Sequence, residues 1–489
     1  MFSKAKQYIP LVVVDTGAGF VDTSVYGPEQ LSQAPGRGGR YRVCTWTSLA
    51  LILFVGLLGH EYRSSRCSSQ SRSDVPTAPS LGLPQKLQQA WAAYSPYFPA
   101  EEYKAPPNQC DIVQIQRHGA RYPTDNASAD IKKTLKKLKK ATAYKDKSVK
   151  FLHKYKWGLG ENDLVPFGAA QSFDAGQLHY TRYKHLIDED NLPFLRASGA
   201  DRVVMSALNW TAGFTAASNH VYSPLLSVIL SETSNDTLDN AMCPACERSA
   251  VESDEWRSTF TPSILHRLKK AVPGAKLKAG DITNLMSACA FDTVAHEKAS
   301  PFCSMFTLEE FRSYEYDEDI KKYYYTGYGN AFGRVQGVGY VNELLARLTG
   351  MPVEDHTQTN STLDSSPDTF PLNRTFYADF SHDNTMIAIY GALGLFPQSE
   401  APSVSKPDPH RTWIMSRLVP FSSRMITEKL QCRFVGETKE FVRILVNDAV
   451  QPLEFCGAGA DGLCELDAFV ASQTYARSGG AGDWEKCND

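Results

Sequence analysis

Apolar positions along this chain alternate between helical spacing and short strand-like runs, so the pattern predicts a sheet interleaved with helices. Residues 110–115 form a buried-strand candidate, and residues 117–124 follow as a loop. Beyond the loop, Ile131, Leu135, Leu138 and Ala141 keep helical spacing over 130–140, with Asp130 as N-cap and a strongly cationic opposite face. A second helix is predicted over 168–185. Residues 202–207 read as a strand that returns the chain to the sheet. From 212 to 326 the pattern is mainly helical: 223–232 and 262–272 look helix-like, Asp281 caps 282–296, and Thr307-Leu-Glu-Glu310 is a capping-box sequence. A helix over 337–348 is closed by Gly350 and Pro352. A strand over 376–380 then feeds a helix at 385–393, and strands 440–445 and 450–455 flank Asn447-Asp448 as a hairpin. Helices set in a block between sheet strands define an α/β class. The expected fold is a mixed sheet flanked by helices with a second, inserted all-α lobe, its insertions mainly at about 125–190 and 212–326.

The N-terminal hundred residues follow a different pattern. Residues 49–58 are an unbroken apolar run, extending to 43–59 when Cys44 and its polar neighbours are counted. Such a run suits a signal-peptide core, whereas a spanning helix takes about 20 residues. The long preceding segment, the lack of a clean small-x-small cleavage site and the absence of methionine between Met1 and Met205 favour an uncleaved signal anchor. Arg37, Arg40 and Arg42 precede the run, which keeps the N-terminus cytoplasmic and sends the remainder to the lumen or exterior. The expected organisation is a disordered tail at 1–42, a transmembrane segment at 43–59, a flexible stalk at 60–83 and one folded domain over 84–489. Cleavage of the run would make the product secreted.

Composition narrows the compartment and the partners. A net charge of −3 over 489 residues argues against a general nucleic-acid binder. Eleven cysteines and the sequons at Asn126, Asn209, Asn235, Asn360 and Asn373 point to an oxidising, glycosylating route through the secretory pathway. No clustered metal-ligand motif, Walker motif or dinucleotide-binding glycine motif is present, so no cofactor and no metal are expected. Oligomeric state is left open.

The densest chemistry lies in Arg117-His118-Gly119-Ala120-Arg121-Tyr122-Pro123-Thr124. A histidine between two arginines at a strand end combines a nucleophile with two guanidinium forks where α/β sheets bind ligands. Permanent neighbouring cations favour the neutral imidazole, whose free nitrogen can attack phosphorus.

This octapeptide resembles the signature of the histidine acid phosphatases, the phosphatase branch of the phosphoglycerate-mutase-like superfamily. Phe380-Ser381-His382-Asp383-Asn384 is similar to the family's second signature, and residues 336–344 and 362–367 resemble fungal phytases. The likeness spans about 108–488. It implies a phosphohistidine mechanism with His118 as nucleophile, Arg117, Arg121, Arg202 and His382 as phosphate ligands, and Asp383 as proton donor. Because that carboxyl must begin protonated, an acidic optimum is expected. The resemblance also implies a phosphorylated small-molecule substrate, and the pair Lys321 and Lys322 matches phytase pocket lysines. Ala127 and Asp130 stand where two further pocket lysines would fall, so a broad acid phosphatase is the alternative to a phytase. A catalytically silent anchored binding protein and a mutase-type transferase are weaker readings, since every expected catalytic residue is present beside cysteines and sequons. Disulfides implied by the resemblance are Cys110 with Cys432, Cys289 with Cys303, Cys456 with Cys464, and Cys487 with Cys243 or Cys246. Cys67 and the leftover member of Cys243 and Cys246 have no counterpart in the family.

Overall fold

The computed structural model describes Val13–Val14 and residues 78–106, 108–246, 251–434 and 437–489, with the side chains of Val13, Val14 and 432–437 excluded. One mixed sheet organises these residues. Its strands are β1 (Val13–Val14), β2 (Gln109–Arg117), β3 (Phe194–Ser198), β4 (Leu226–Leu230), β5 (Phe376–Ser381), β6 (Arg424–Phe434), β7 (Glu437–Val446), β8 (Ala449–Val450) and β9 (Cys464–Glu465). Their order is β1-β4-β3-β5-β2-β6-β7-β8, with β9 on β7. The β1/β4, β4/β3, β3/β5 and β5/β2 pairs are parallel, and the β2/β6, β6/β7, β7/β8 and β7/β9 pairs are antiparallel. Registers Arg117 to Ser381, Ala197 to Phe380 and Ser198 to Leu230 align the carboxyl ends of β2, β5, β3 and β4 along one edge. That edge is where open α/β sheets hold ligands.

The main helices are α1 (Asp125–Leu138), α2 (Pro166–Tyr183), α3 (Asp201–Ala217), α4 (Val251–Ala271), α5 (Ala279–His296), α6 (Leu308–Tyr325), α7 (Val338–Thr349) and α8 (Asp383–Leu393). Helix α3 packs Val203, Val204, Trp210 and Phe214 against Leu195, Phe376 and Phe380 of the sheet. Val338, Val341, Leu344, Ile387 and Tyr390 of α7 and α8 share another core with Val113 and Ile115. A further cluster joins Ile131 and Leu135 of α1 with Ile264, Leu268, Ile282, Leu285 and Phe311, which is the helical core expected of the inserted lobe. Asp281 ties two of its helices together. It is the third residue of α5 rather than its cap, accepting from the Lys278 N–H and, across to α1, from Thr134 Oγ1 and Lys137 Nζ, each at 2.7 Å. At the start of α6, Thr307 Oγ1 accepts from Glu310 N–H (3.2 Å) and Glu310 Oε2 accepts from Thr307 N–H (2.8 Å), completing the capping box.

Several sequence expectations need correction. Residues 202–207 lie in α3 rather than in a strand; the strand is the segment just before them. Residues 223–232 contain β4, because the segment Leu226–Leu230, apolar except for half-buried Ser227, lies between β3 and β1, and a nearly continuous apolar run suits a two-faced parallel strand. Helix α1 begins six residues earlier than expected, with Thr124 rather than Asp130 as N-cap. Ala78 and Leu81 already pack against the core, ahead of residue 84. The hairpin forms around Asn447 and Asp448, both at positive φ, but its second strand is only two residues long.

The cationic face of α1 is largely partnered: Lys132 pairs with Glu161, Lys133 with Asp130 and Lys137 with Asp281. Disulfides join Cys243 with Cys487, Cys289 with Cys303 and Cys456 with Cys464. The Cys110–Cys432 bridge is not formed among the described residues. Cys110 falls in the bulge between Gln109 and Asp111, where its thiol lies 3.3 Å from the Lys429 carbonyl, and the Cys432 side chain is outside them. Residues 43–59 and Cys67 also lie outside the described residues; among the described ones, no helix is long and apolar enough to cross a membrane.

Candidate active site

The loop after β2 is held by main-chain bonds on both flanks. His118 N–H donates to the Ser381 carbonyl, and its own carbonyl accepts from Ser422 N–H, each at 3.0 Å. Gly119 N–H donates to Ser206 Oγ and Ala120 N–H to Gln171 Oε1, again at 3.0 Å. Two glycines permit this contact. A Cβ on Gly119 would lie 2.2 Å from the Gly168 carbonyl oxygen, and one on Gly168 would lie 2.0 Å from that of Ala120. Loop and α2 thus meet backbone to backbone, which fixes the height of His118 above the sheet.

His118 is 1% exposed, and its Nδ1 lies 2.8 Å from the Gly119 carbonyl. A carbonyl only accepts, so Nδ1 carries the proton and Nε2 keeps its lone pair. Burial, then the charges of Arg117, Arg202 and Arg121, hold the imidazole well below its ordinary pKa. The three guanidinium groups converge from different elements: Arg117 ends β2, Arg121 follows in the loop, and Arg202 is the second residue of α3. Arg117 donates through one terminal nitrogen to the carbonyls of Val419 (2.7 Å) and Ala93, and its Cζ lies 4.7 Å from the centre of the Phe421 ring. Burial lowers the pKa of Arg121 to about 10. Arg117 Nε and NH2, Arg121 Nε and Arg202 Nε are buried donors without a hydrogen-bond acceptor among the described residues. Buried guanidinium donors are normally satisfied, and this set suits an anion with several acceptor oxygens.

Strand β5 delivers the second signature. His382 is the N-cap residue of α8 and Asp383 its first residue. The His118 and His382 rings are 5.8 Å apart. Asp383 Oδ2 lies 2.8 Å from Lys322 Nζ and 3.4 Å from Arg117 NH2. Burial alone would raise this carboxyl, but Arg117 and Lys322 outweigh it and hold Asp383 well below the usual range. Lys322 is buried, also donates to Asn384 Oδ1, and has its pKa lowered by that burial. Lys321 is instead paired with Glu318 at 3.3 Å, and that carboxylate raises its pKa. The lysine pair therefore divides between two environments: Lys322 belongs to the carboxylate's surroundings, and Lys321 stands beyond them.

Glu232, two residues past β4, escaped the sequence analysis. Its Oε1 accepts from His382 Nε2 (2.7 Å), Ser198 Oγ (2.8 Å) and Ala200 N–H (3.0 Å). Burial opposes its charge, yet the bonds from His382, Ser198 and Ala200 bring the carboxyl down to about 2. The signal that points to it is topological, since β4 is the fourth parallel strand ending at this edge. Among the described residues, no group of three or more His, Cys, Asp or Glu side chains is placed to hold a metal.

A buried histidine with one free nitrogen, three guanidinium groups and a carboxylate held among cations make a site for an anionic ester. Residues 111–447 match the Histidine phosphatase superfamily (branch 2), and the chain belongs to that family. It is 42% identical over 424 residues to Phytase A of Aspergillus oryzae, covering 81% of this chain and 90% of the relative. It is 43% identical over 470 residues to Phytase A of Arthroderma benhamiae, covering 90% and 98%. Among solved structures, the phytase from D. castellii superposes with a TM-score of 0.67 at 22% identity, over 83% of this chain and 88% of that one. The multiple inositol polyphosphate phosphatase of Bifidobacterium longum, in complex with inositol hexasulfate, gives 0.60 at 14% identity, over 80% and 98%. These two structures share the fold.

Proposed function

We propose that the chain hydrolyses phosphomonoesters at acidic pH through a phosphohistidine on His118, with phytate as its principal substrate. The observation that carries this reading is the His118 tautomer, with Nδ1 held by the Gly119 carbonyl and Nε2 left as nucleophile within a cluster of three guanidinium groups. Nε2 attacks phosphorus and the bond to the ester oxygen breaks. Arg117, Arg121, Arg202 and His382 hold the remaining phosphoryl oxygens, while Asp383 gives its proton to the departing alcohol. Water then attacks the phosphohistidine, passes a proton to Asp383 and leaves inorganic phosphate.

The pH dependence follows from the surroundings of Asp383. Arg117 and Lys322 keep its carboxyl ionised in the free site, so it cannot begin the cycle as an acid there. A bound phosphoryl group offsets those cations and raises the carboxyl's proton affinity. Turnover is therefore expected to fall as pH climbs through that raised value.

Similarity to the two Phytase A sequences supports phytate. The partnering of Lys321 by Glu318, with Ala127 and Asp130 at the other pocket positions, favours the second reading, a broad acid phosphatase. Phosphate release from phytate and from an aryl phosphate, each across pH, decides between them. A kcat/KM for phytate no higher than for the aryl ester at every pH would remove phytate as principal substrate. Lys322→Ala is expected to lower kcat/KM on both substrates by on the order of 10²-fold, because it acts through Asp383. Lys321→Ala is expected to affect phytate alone. A Lys322→Ala loss confined to phytate would return that lysine to the pocket rim.

Three disulfides fit export through an oxidising compartment. Exposed Asn126 and Asn373 suit glycosylation better than Asn209 and Asn235, whose amides donate to the carbonyls of Met205 and Thr359, or Asn360, which caps a helical turn. An anchor at 43–59 would put Val13–Val14 across the bilayer from the β4 edge they pair with, so that pairing weighs against the anchor. A chain that keeps an N-terminal tag and sediments with membranes would reinstate the anchor.

A further inference from the structure

His382 makes two hydrogen bonds whose directions determine its protonation. Arg202 NH2 lies 3.2 Å from Nδ1, and a guanidinium only donates, so Nδ1 is the acceptor there. The ring proton therefore sits on Nε2 and is donated to Glu232 Oε1 at 2.7 Å. A phosphoryl dianion reverses the demand on Nδ1, because its oxygens only accept. For His382 to hold phosphate, Arg202 must turn toward the anion and Nδ1 must gain a proton.

We propose that Glu232 is the positioning residue that makes this switch possible: its carboxylate fixes Nε2–H and compensates the imidazolium charge, so that His382 binds phosphate as a cation. The proton comes from solvent, one per dianion bound, and returns when phosphate leaves. This proposal rests on the phosphoryl-transfer reading and adds to it a charged state for one ligand.

The groups facing His382 support the assignment. From α3 comes Arg202, and from the end of β2 comes the His118 ring, 5.8 Å away. The Arg202 guanidinium opposes a further positive charge, and the neutral His118 ring offers it no compensation. The neighbouring Asp383 has its Oδ2 engaged by Lys322 and Arg117. Glu232 is therefore the carboxylate directed at the ring. Behind it, Ser198 Oγ lies 2.8 Å from Glu232 Oε1 and 3.0 Å from Asp236 Oδ2, and one hydroxyl proton serves only one of them. Burial raises the Asp236 carboxyl well above its usual range, so Asp236 keeps its proton and donates to Ser198, which donates onward to Glu232. The chain of bonds ends on one anion, and that anion faces His382. An imidazolium there also strengthens the field that keeps His118 Nε2 unprotonated.

The test is the pH dependence of inorganic-phosphate binding, read as competitive inhibition of aryl phosphate turnover and directly by calorimetry, in wild type, Glu232→Gln and Glu232→Asp. Glu232→Gln is expected to move the alkaline limb of phosphate affinity down by about one pH unit or more, a roughly tenfold loss of affinity on that limb. The loss should fall on KM more than on kcat, and Glu232→Asp should recover part of it. Nitrogen-15 NMR of the wild-type phosphate complex should show both His382 nitrogens protonated, and this readout does not depend on a variant folding. Superimposable phosphate-affinity profiles for wild type and Glu232→Gln, or a neutral His382 in the wild-type complex, would overturn the inference. Neither calorimetry nor NMR requires turnover, so this failure is distinct from failure of the phosphohistidine reading, which would appear as no label on His118.

Discussion

His118→Ala is expected to lower kcat on any phosphomonoester by on the order of 10⁵-fold or more, while inorganic phosphate still binds. The size of the effect follows from the lack of a replacement. His382 is the nearest imidazole, but its two nitrogens are engaged by Arg202 and Glu232, and its ring is 5.8 Å from that of His118. Phosphate binding survives because the guanidinium donors come from Arg117, Arg121 and Arg202, none of which depends on the imidazole for its position. Arg117 is fixed by the carbonyls of Ala93 and Val419, and Arg121 by that of Tyr122. The measurement is aryl phosphate turnover by the purified variant alongside its phosphate affinity; more than about a thousandth of wild-type turnover would falsify the nucleophile assignment. Arginine losses should be smaller, about 10²-fold, as expected for one charge-assisted contact. Arg121→Ala is the cleaner of these variants, because removing Arg117 also strips two main-chain carbonyls of their donor.

The contacts of these residues show which parts of the site were legible in the sequence. The octapeptide could be read directly, because it packs several chemical groups into one strand end, whereas the His382-Asp383 segment was legible only through its resemblance to the family's second signature. Arg202 was found in the right place on the wrong element. Val203 and Val204 suggest a strand, yet both are buried on one face of α3 against the sheet, and tertiary packing outweighs β-branched preference there. Residues 226–230 show the opposite error. A short, mostly apolar run does not distinguish a buried strand from a buried helix, and misreading it hid the strand that carries Glu232 to the site. Lys322 was recognised as functional, but its place beside Asp383 was not foreseen. It is 61 residues from Asp383, and no local spacing foretells that its ammonium lies 2.8 Å from that carboxylate.

Asp383→Asn is expected to separate the two halves of the reaction. The amide keeps the shape of the side chain and its contact with Lys322 but has no carboxyl proton to give, so esters with poor leaving groups should suffer most, with phytate turnover falling by about 10³-fold. A nitrophenyl ester departs with little protonation, and its phosphoryl group should still reach His118. Removing the carboxylate also removes the anion that Arg117 and Lys322 share, leaving both cations free for the phosphoryl group and strengthening its binding. The second half then fails, because the water that attacks the phosphohistidine has no carboxylate to receive its proton. Phosphoenzyme should accumulate from the nitrophenyl ester as an acid-labile, alkali-stable label on His118, with a burst of nitrophenol equal to the enzyme concentration. Wild-type protein should show neither burst nor label at the same pH. Equal losses on nitrophenyl phosphate and phytate, with no trapped label, would assign the proton transfers to another group and leave Asp383 as the counter-ion of Lys322 and Arg117.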